Sequence, residues 1–175
     1  MACKLVIEPI FEADFEDSSY GFRPNRSSKD AMKAIKENLQ QGKTEVLDAD
    51  LRCYFDTIPH DKLNKTLELR IADKRIIRLI NLWLKSPVSE DGRSTGSKQD
   101  GTPQGGVISP LLANIYMHLV DRIVNNTNSL FHQAGIKIVR YADDFVLLGE
   151  RITQQAKEKL QELLNRMGLK LNETK

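Results

Sequence analysis

The chain has 175 residues, 40% apolar and 29% charged, and a formal net charge of +2. That is long enough to bury a core as one domain, and too evenly charged to demand a nucleic-acid partner or to exclude one. Cys3 and Cys53 stand far apart, which excludes a disulfide framework and a cysteine-based zinc site, and no run approaches the ~18 apolar residues of a membrane span. The segment Met1–Pro9 has neither the apolar core nor the cleavage site of a signal peptide. A non-secreted protein of a reducing, bacterial-type cytoplasm is expected, with an organelle left open.

Residues 1–22 are mixed in character and carry no strong period. Ser27 caps a helix with Asp30 in capping-box position, Ala31, Ile35 and Leu39 at helical spacing, and Gly42 as its end. Val46–Leu51 reads as a strand, with Asp48 and Asp50 on one face and Leu47, Ala49 and Leu51 on the other. A helix through Leu63, Leu67 and Ile71 follows Pro59. A second, capped by Asp73, places Ile76, Ile77, Ile80, Trp83 and Leu84 in one stripe. Residues 86–106, with Pro87, Gly92, Gly96, Gly101, Pro103, Gly105 and Gly106, read as loop or hairpin.

Ser109-Pro110 opens a helix to about Val124, with Ser109 as N-cap and Pro110 in the first turn. Ile136–Tyr141 and Phe145–Leu148 form a hairpin pattern around Ala142-Asp143-Asp144. A last helix, capped by Thr153, carries Ala156, Leu160, Leu163, Leu164 and Met167; Gly168 ends it, and Leu169–Leu171 resembles a closing strand. The order predicts an α+β fold of split-βαβ type, an antiparallel sheet with helices packed on one face.

Asp143 and Asp144 adjoin in an otherwise apolar hairpin, where neighbouring carboxylates repel. A solvated acidic turn is the plain alternative. In a split-βαβ sheet the first strand lies beside the hairpin, so Asp50 would approach the same spot, although Asp48 shares its face and competes. Converging carboxylates call for divalent cations, and hard oxygen donors favour Mg²⁺. Gly101-Thr102-Pro103-Gln104-Gly105-Gly106 is either a structural turn or a loop through which backbone nears a ligand. The basic residues from Arg23 to Lys43 read equally as a nucleic-acid face or as solvated helix surface.

Together these segments resemble the reverse transcriptases, and within them the group II intron branch. Tyr141-Ala142-Asp143-Asp144 looks like the YxDD signature, and Asp50 is followed five residues on by an aromatic, Phe55. Gly101–Pro110, reading GTPQGGVISP, the following LLANIYMHLVD, Ser19–Pro24 upstream and Gly168–Asn172 downstream also match, in family order. The resemblance implies a polymerase palm with a partial fingers segment, here 1–44 fingers and 45–175 palm. It implies RNA-directed DNA polymerase activity, with Asp50, Asp143 and Asp144 as catalytic carboxylates holding two Mg²⁺ ions (Mn²⁺ as substitute) and the Leu51 carbonyl completing one shell.

The resemblance further implies that Phe55 excludes a 2′-hydroxyl, although Phe55 reads equally as core. Tyr141 would lie near the primer end, and Gln104 would touch the nascent base pair in a pocket shaped by Pro103, Gly105 and Gly106. Lys175 would protonate the leaving pyrophosphate, and Arg23 and Arg26 would meet template phosphates. Implied partners are an RNA template, a DNA primer, deoxynucleoside triphosphates and intron RNA, with no membrane. The family's first fingers motifs would precede Met1, and thumb, primer grip and maturase region would follow Lys175, so weak activity alone is expected. The alternatives are an intron RNA-binding splicing cofactor and an inert truncated remnant.

Overall fold

In the computed structural model, which describes residues 1–86, 89–90, 93–94, 100–103 and 105–172, the stretch without visible period opens on a helix. α1 (Ala2–Glu12) buries Cys3, Ile7 and Phe11, spaced by four, while Leu5 and Val6 lie exposed on its other side. Apolar residues on both sides, and Pro9 inside the helix, erase the periodic contrast that sequence reading relies on.

Two compact units are formed, and the chain runs twice between them: Met1–Asp14 with Cys53–Tyr116, and Phe15–Arg52 with Met117–Lys175. Residues 15–44 belong with the sheet because α2 (Ser28–Gln40) packs its Ala31 against Val139 and Leu148. The capping box forms as expected: the Ser27 Oγ accepts from the Asp30 N–H, and the Asp30 carboxylate accepts from the Ser27 N–H at 2.8 Å.

The unit with the sheet holds β1 (Glu45–Ala49), β4 (Lys137–Tyr141) and β5 (Asp144–Gly149), antiparallel in the order β1-β5-β4. Register runs from Glu45↔Gly149 to Ala49↔Phe145 on one side of β5 and from Lys137↔Leu148 to Tyr141↔Asp144 on the other. Alternation therefore puts Asp48, Val146, Asp144 and Tyr141 on one face, and Ala49, Phe145, Leu147, Ile138 and Arg140 on the other, which is buried. β1 ends at Ala49 rather than Leu51; beyond it, Leu51 makes an isolated antiparallel bridge to Leu171, the expected closing strand reduced to a single pair. The unit also contains α7 (Leu130–Gln133) and α8 (Gln154–Met167), whose Thr153 cap and left-handed Gly168 stop are as expected. The α+β class stands. α2 covers part of one face of the sheet, while α6 (Ser109–Asn125) supplies Asp121 to the Arg140 side.

The other unit holds α1, α3 (Tyr54–Thr57), α4 (His60–Glu68), α5 (Lys74–Leu84), the short pair β2 (Ser89–Glu90) and β3 (Arg93–Ser94), and the first half of α6. Asp73 caps α5 through the Arg75 N–H as expected. Ser109 does not act as a cap acceptor. It is the first helical residue of α6, and its hydroxyl donates to the Pro103 carbonyl at 2.7 Å, tying the glycine-rich loop to the helix. Among the described residues no helix is long and apolar enough to cross a membrane.

Candidate active site

β4 and β5 are joined by a two-residue turn, Ala142-Asp143, closed by the Tyr141↔Asp144 pair. Right-handed strand twist favours a positive φ at the first turn position, a place usually taken by glycine. Here Ala142 adopts it, with φ 61°, at a cost of about 1 kcal/mol for a residue with a Cβ. Asp143 is half-buried, Asp144 and Tyr141 are exposed, and all three project from the sheet end.

Asp50 arrives from β1. It lies one residue past Ala49↔Phe145, which brings it alongside Asp144. Its backbone carbonyl accepts from the Asn172 N–H at 2.9 Å and its carboxylate from the Asn172 side-chain amide at 2.8 Å. Leu51 is buried between these bonds and the Arg52 N–H to Lys170 carbonyl bond. Desolvation raises the Asp144 carboxyl above the ordinary carboxylate range, and the charges of Asp143, Asp50 and Asp48 raise it further. Among the described residues none of these four carboxylates forms an ion pair, and no three His, Cys, Asp or Glu side chains are gathered tightly enough to hold a metal. The register and the field thus bring Asp50 to the Asp143–Asp144 turn, while the side chains stand apart. Hard carboxylate donors with an unneutralised mutual field fit divalent cations in kind.

The raised Asp144 carboxyl has a consequence for stability. The folded chain holds this proton more tightly than the unfolded one, so stability falls as pH rises from the unfolded value through the folded value. Without divalent ions, Asp144→Asn should therefore raise the melting temperature modestly at pH 7 and leave it unchanged once acid has protonated both states. Melting curves across pH, in EDTA, check this; a lower melting temperature at pH 7 counts against it.

Beneath the turn, on the buried face, lies a group that no sequence expectation included. Arg140 and Asp121 are both 0% exposed. The Arg140 guanidinium donates through Nε to both Asp121 carboxylate oxygens at 3.0 Å, and through Nη2 to Asp121 at 2.6 Å and the Ser19 hydroxyl at 2.7 Å. Its Nη1 donates to the carbonyl of Ala142 at 2.7 Å. The Ser18–Tyr20 segment runs beside β4, with the Arg140 N–H donating to Ser18 and the Tyr20 N–H to Arg140. Gly21 then presses on the turn itself: a Cβ there would lie 2.3 Å from the Ala142 nitrogen. Gly21→Ala should cost about 1–3 kcal/mol by forcing backbone against backbone, read as a drop in the urea unfolding midpoint. An unchanged midpoint would contradict that contact. The available signal was an arginine within the apolar run of β4 and an aspartate within that of α6; their pairing was not readable.

Arg23 is buried in the fold: it is 7% exposed, donates to the Glu16 and Ser19 carbonyls at 2.7 and 2.8 Å, and lies 5.2 Å over the Phe15 ring. A guanidinium so enclosed braces the segment that supplies Ser19 and Gly21. Arg26 is half-buried, bonded to the Asp17 carbonyl and carboxylate and placed over the Tyr20 ring.

The other unit holds the remaining predicted residues. Tyr54 is the core aromatic, 2% exposed, its hydroxyl donating to the Ala113 carbonyl at 2.7 Å, whereas Phe55 is half-buried. The glycine-rich loop is pinned beside Phe55: the Thr102 N–H donates to the Phe55 carbonyl at 2.6 Å and the Gly101 N–H to the Ile58 carbonyl at 2.8 Å. Gly101 has φ 86°, and a Cβ would lie 2.8 Å from the Asp56 carbonyl oxygen, so only glycine fits. Pro103 and Gly106 are half-buried and Gly105 exposed. Gln104 and Lys175 lie outside the described residues.

Comparison with known proteins gives one family, two relatives and one solved structure. A family described as "Reverse transcriptase (RNA-dependent DNA polymerase)" matches residues 1–175. The group II intron-encoded protein LtrA of Lactococcus lactis subsp. cremoris is 41% identical over 123 residues, covering 70% of this chain and 20% of LtrA. An uncharacterized 91 kDa protein in the cob intron of Schizosaccharomyces pombe is 41% identical over 134 residues, covering 75% of this chain and 16% of that protein. The chain thus spans a fifth or less of the length of these two relatives. Among solved structures, telomerase from Candida tropicalis in complex with a telomeric RNA fragment superposes with a TM-score of 0.67 at 13% identity, over 98% of this chain and 31% of that one.

Proposed function

We propose that this chain, which belongs to the reverse transcriptase (RNA-dependent DNA polymerase) family, is the nucleotidyl-transfer core of a group II intron-type RNA-directed DNA polymerase. The observation that carries the reading is the aspartate turn at the end of the hairpin, with Asp50 one register step beyond Ala49↔Phe145 and its charge acting on Asp144. On this reading residues 1–44 contribute to fingers and 45–175 to palm. Its partners are an RNA template, a DNA primer and deoxynucleoside triphosphates, in a reducing cytoplasm.

Asp50, Asp143 and Asp144 are the residues that would hold two Mg²⁺ ions, or Mn²⁺ in their place, with the Leu51 carbonyl as a further donor. Such ions supply charge neutralisation for in-line displacement at the α-phosphorus of a deoxynucleotide by a primer 3′-hydroxyl, with loss of pyrophosphate. The chain's own part is orientation. Asn172 fixes the Asp50 carboxylate, and the closed turn fixes the direction of Asp143 and Asp144. Phe55, half-buried beside the pinned loop, is placed in the role of excluding a 2′-hydroxyl. Tyr141 contacts the primer end, Gln104 the nascent pair, Pro103, Gly105 and Gly106 shape that pocket, and Lys175 serves the leaving pyrophosphate. Arg26 is retained as a template-phosphate contact at the fingers.

The test is deoxynucleotide incorporation on an RNA template by the protein in its natural full length. Mg²⁺ should support it, EDTA should abolish it and Mn²⁺ should restore part of it; incorporation unaffected by chelation would overturn the reading. A second role, binding intron RNA as a splicing cofactor, is favoured by the 41% identity to an intron-encoded protein. Intron RNA binding that survives Asp143→Ala, with incorporation lost, separates the two.

A further inference from the structure

We propose that Arg140, locked to Asp121 and Ser19 on the buried face of the sheet, is a positioning residue that holds the Ala142 carbonyl and thereby aims Asp143 and Asp144 on the opposite side of the turn. The inference rests on the metal-binding role given to that turn above. Three features carry it. First, the guanidinium is planar and forked, so its pairing with the Asp121 carboxylate fixes its plane, and a fixed plane fixes the direction of Nη1 toward Ala142. Lysine supplies the charge without that plane.

Second, the turn needs holding. Ala142 sits at φ 61° without being glycine, and two adjacent carboxylates repel, Asp143 in the turn and Asp144 in its closing pair. A charge-assisted bond to the Ala142 carbonyl opposes any rotation of the Ala142-Asp143 peptide, and rotation of that peptide would swing both carboxylates. Third, the anchor is itself immobile. Asp121 comes from the seventeen-residue helix α6 and Ser19 from a segment braced by Arg23 and bonded to β4. The Ser19–Arg23 motif thus belongs to the turn: Ser19 accepts from Arg140, Tyr20 extends the sheet edge, Gly21 seats Ala142 and Arg23 braces the rest.

The experiment uses the 175-residue chain with Arg140→Lys and, separately, Ser19→Ala, read by hydrogen exchange of peptides covering 141–144 and by Mn²⁺ titration followed by electron paramagnetic resonance. Loss of an orienting partner typically weakens metal binding roughly ten- to a hundredfold, and Arg140→Lys is expected to fall in that range. The turn amides should exchange faster while α8 keeps its protection; Ser19→Ala should move both readouts the same way and less. Arg140→Lys with parental turn protection and Mn²⁺ affinity within about twofold overturns the proposal. If Arg140→Lys also loses α8 protection, Ser19→Ala decides, and unchanged turn exchange in that variant overturns it. If the parent binds no Mn²⁺, or binds it equally after Asp143→Ala, the metal-site reading has failed instead, and turn exchange alone decides the positioning role.

Discussion

Asp50→Asn should lower deoxynucleotide incorporation by roughly 10³-fold or more in the protein that carries this chain, whereas Asp48→Asn should change it by no more than about twofold. The two aspartates are alike in kind: both exposed, two positions apart, Asp48 in β1 and Asp50 just past its end. Their surroundings differ. Asp48 lies inside the ladder opposite Val146, a full residue pair short of its end, so about 6–7 Å of strand separates it from the position of Asp50. Asp50 lies past the ladder, alongside Asp144, with Asn172 bonded to both its backbone carbonyl and its carboxylate. One carboxylate oxygen is thus engaged by the amide and the other left for a cation. If Asp50 holds a metal as proposed, removing its charge with the shape retained would delete an interaction needed in the transition state, lowering the rate rather than the fold's stability. Single-turnover incorporation at saturating nucleotide checks this; equal losses at positions 48 and 50 would give Asp48 the ligand role instead.

The choice of Asp50 over Asp48 rests on the family's five-residue interval to an aromatic, here Phe55, and the strand register supplies a geometric argument for it. Most elements were likewise readable because each is announced locally. The Ser27–Asp30 capping box, the Asp73 and Thr153 caps and the Gly168 stop all act within one turn of the residues they serve. What escaped acts over distance or lacks contrast. α1 is apolar on both sides and contains a proline. Ser109 has the right chemistry and place for a cap, but the Pro103 carbonyl captures its hydroxyl.

Arg23 shows the limit most clearly. A cation in the Ser19–Pro24 motif reads as a phosphate ligand, and sequence does not mark the Glu16 and Ser19 carbonyls or the Phe15 ring that it meets in the fold. The division into compact units also depends on contacts over distance. Residues 1–14 and 15–44 look continuous, but α2 matches the β4–β5 surface and α1 does not belong with it.

Asp121→Asn should destabilise the chain by about 3–5 kcal/mol, the largest stability loss expected from a single isosteric change here. The Arg140 guanidinium is fully buried, and with Asp121 neutral it would lose that carboxylate's charge while keeping the dipoles of the Ser19 hydroxyl and the Ala142 carbonyl. The cost is that of an uncompensated buried charge, and it overstates what the pair contributes. Desolvating both ions already offsets much of their attraction, so replacing both by apolar residues of similar volume, Arg140→Met with Asp121→Leu, should recover most of the lost stability. The double variant nevertheless lacks any donor for the Ala142 carbonyl. Stability and turn geometry therefore part company: urea unfolding should return close to the parental midpoint while Mn²⁺ binding stays weak. A double variant as unstable as Asp121→Asn would mean that the pair is retained for the stability of the fold. One that recovers both stability and Mn²⁺ affinity would leave the buried arginine without a role at the aspartate turn.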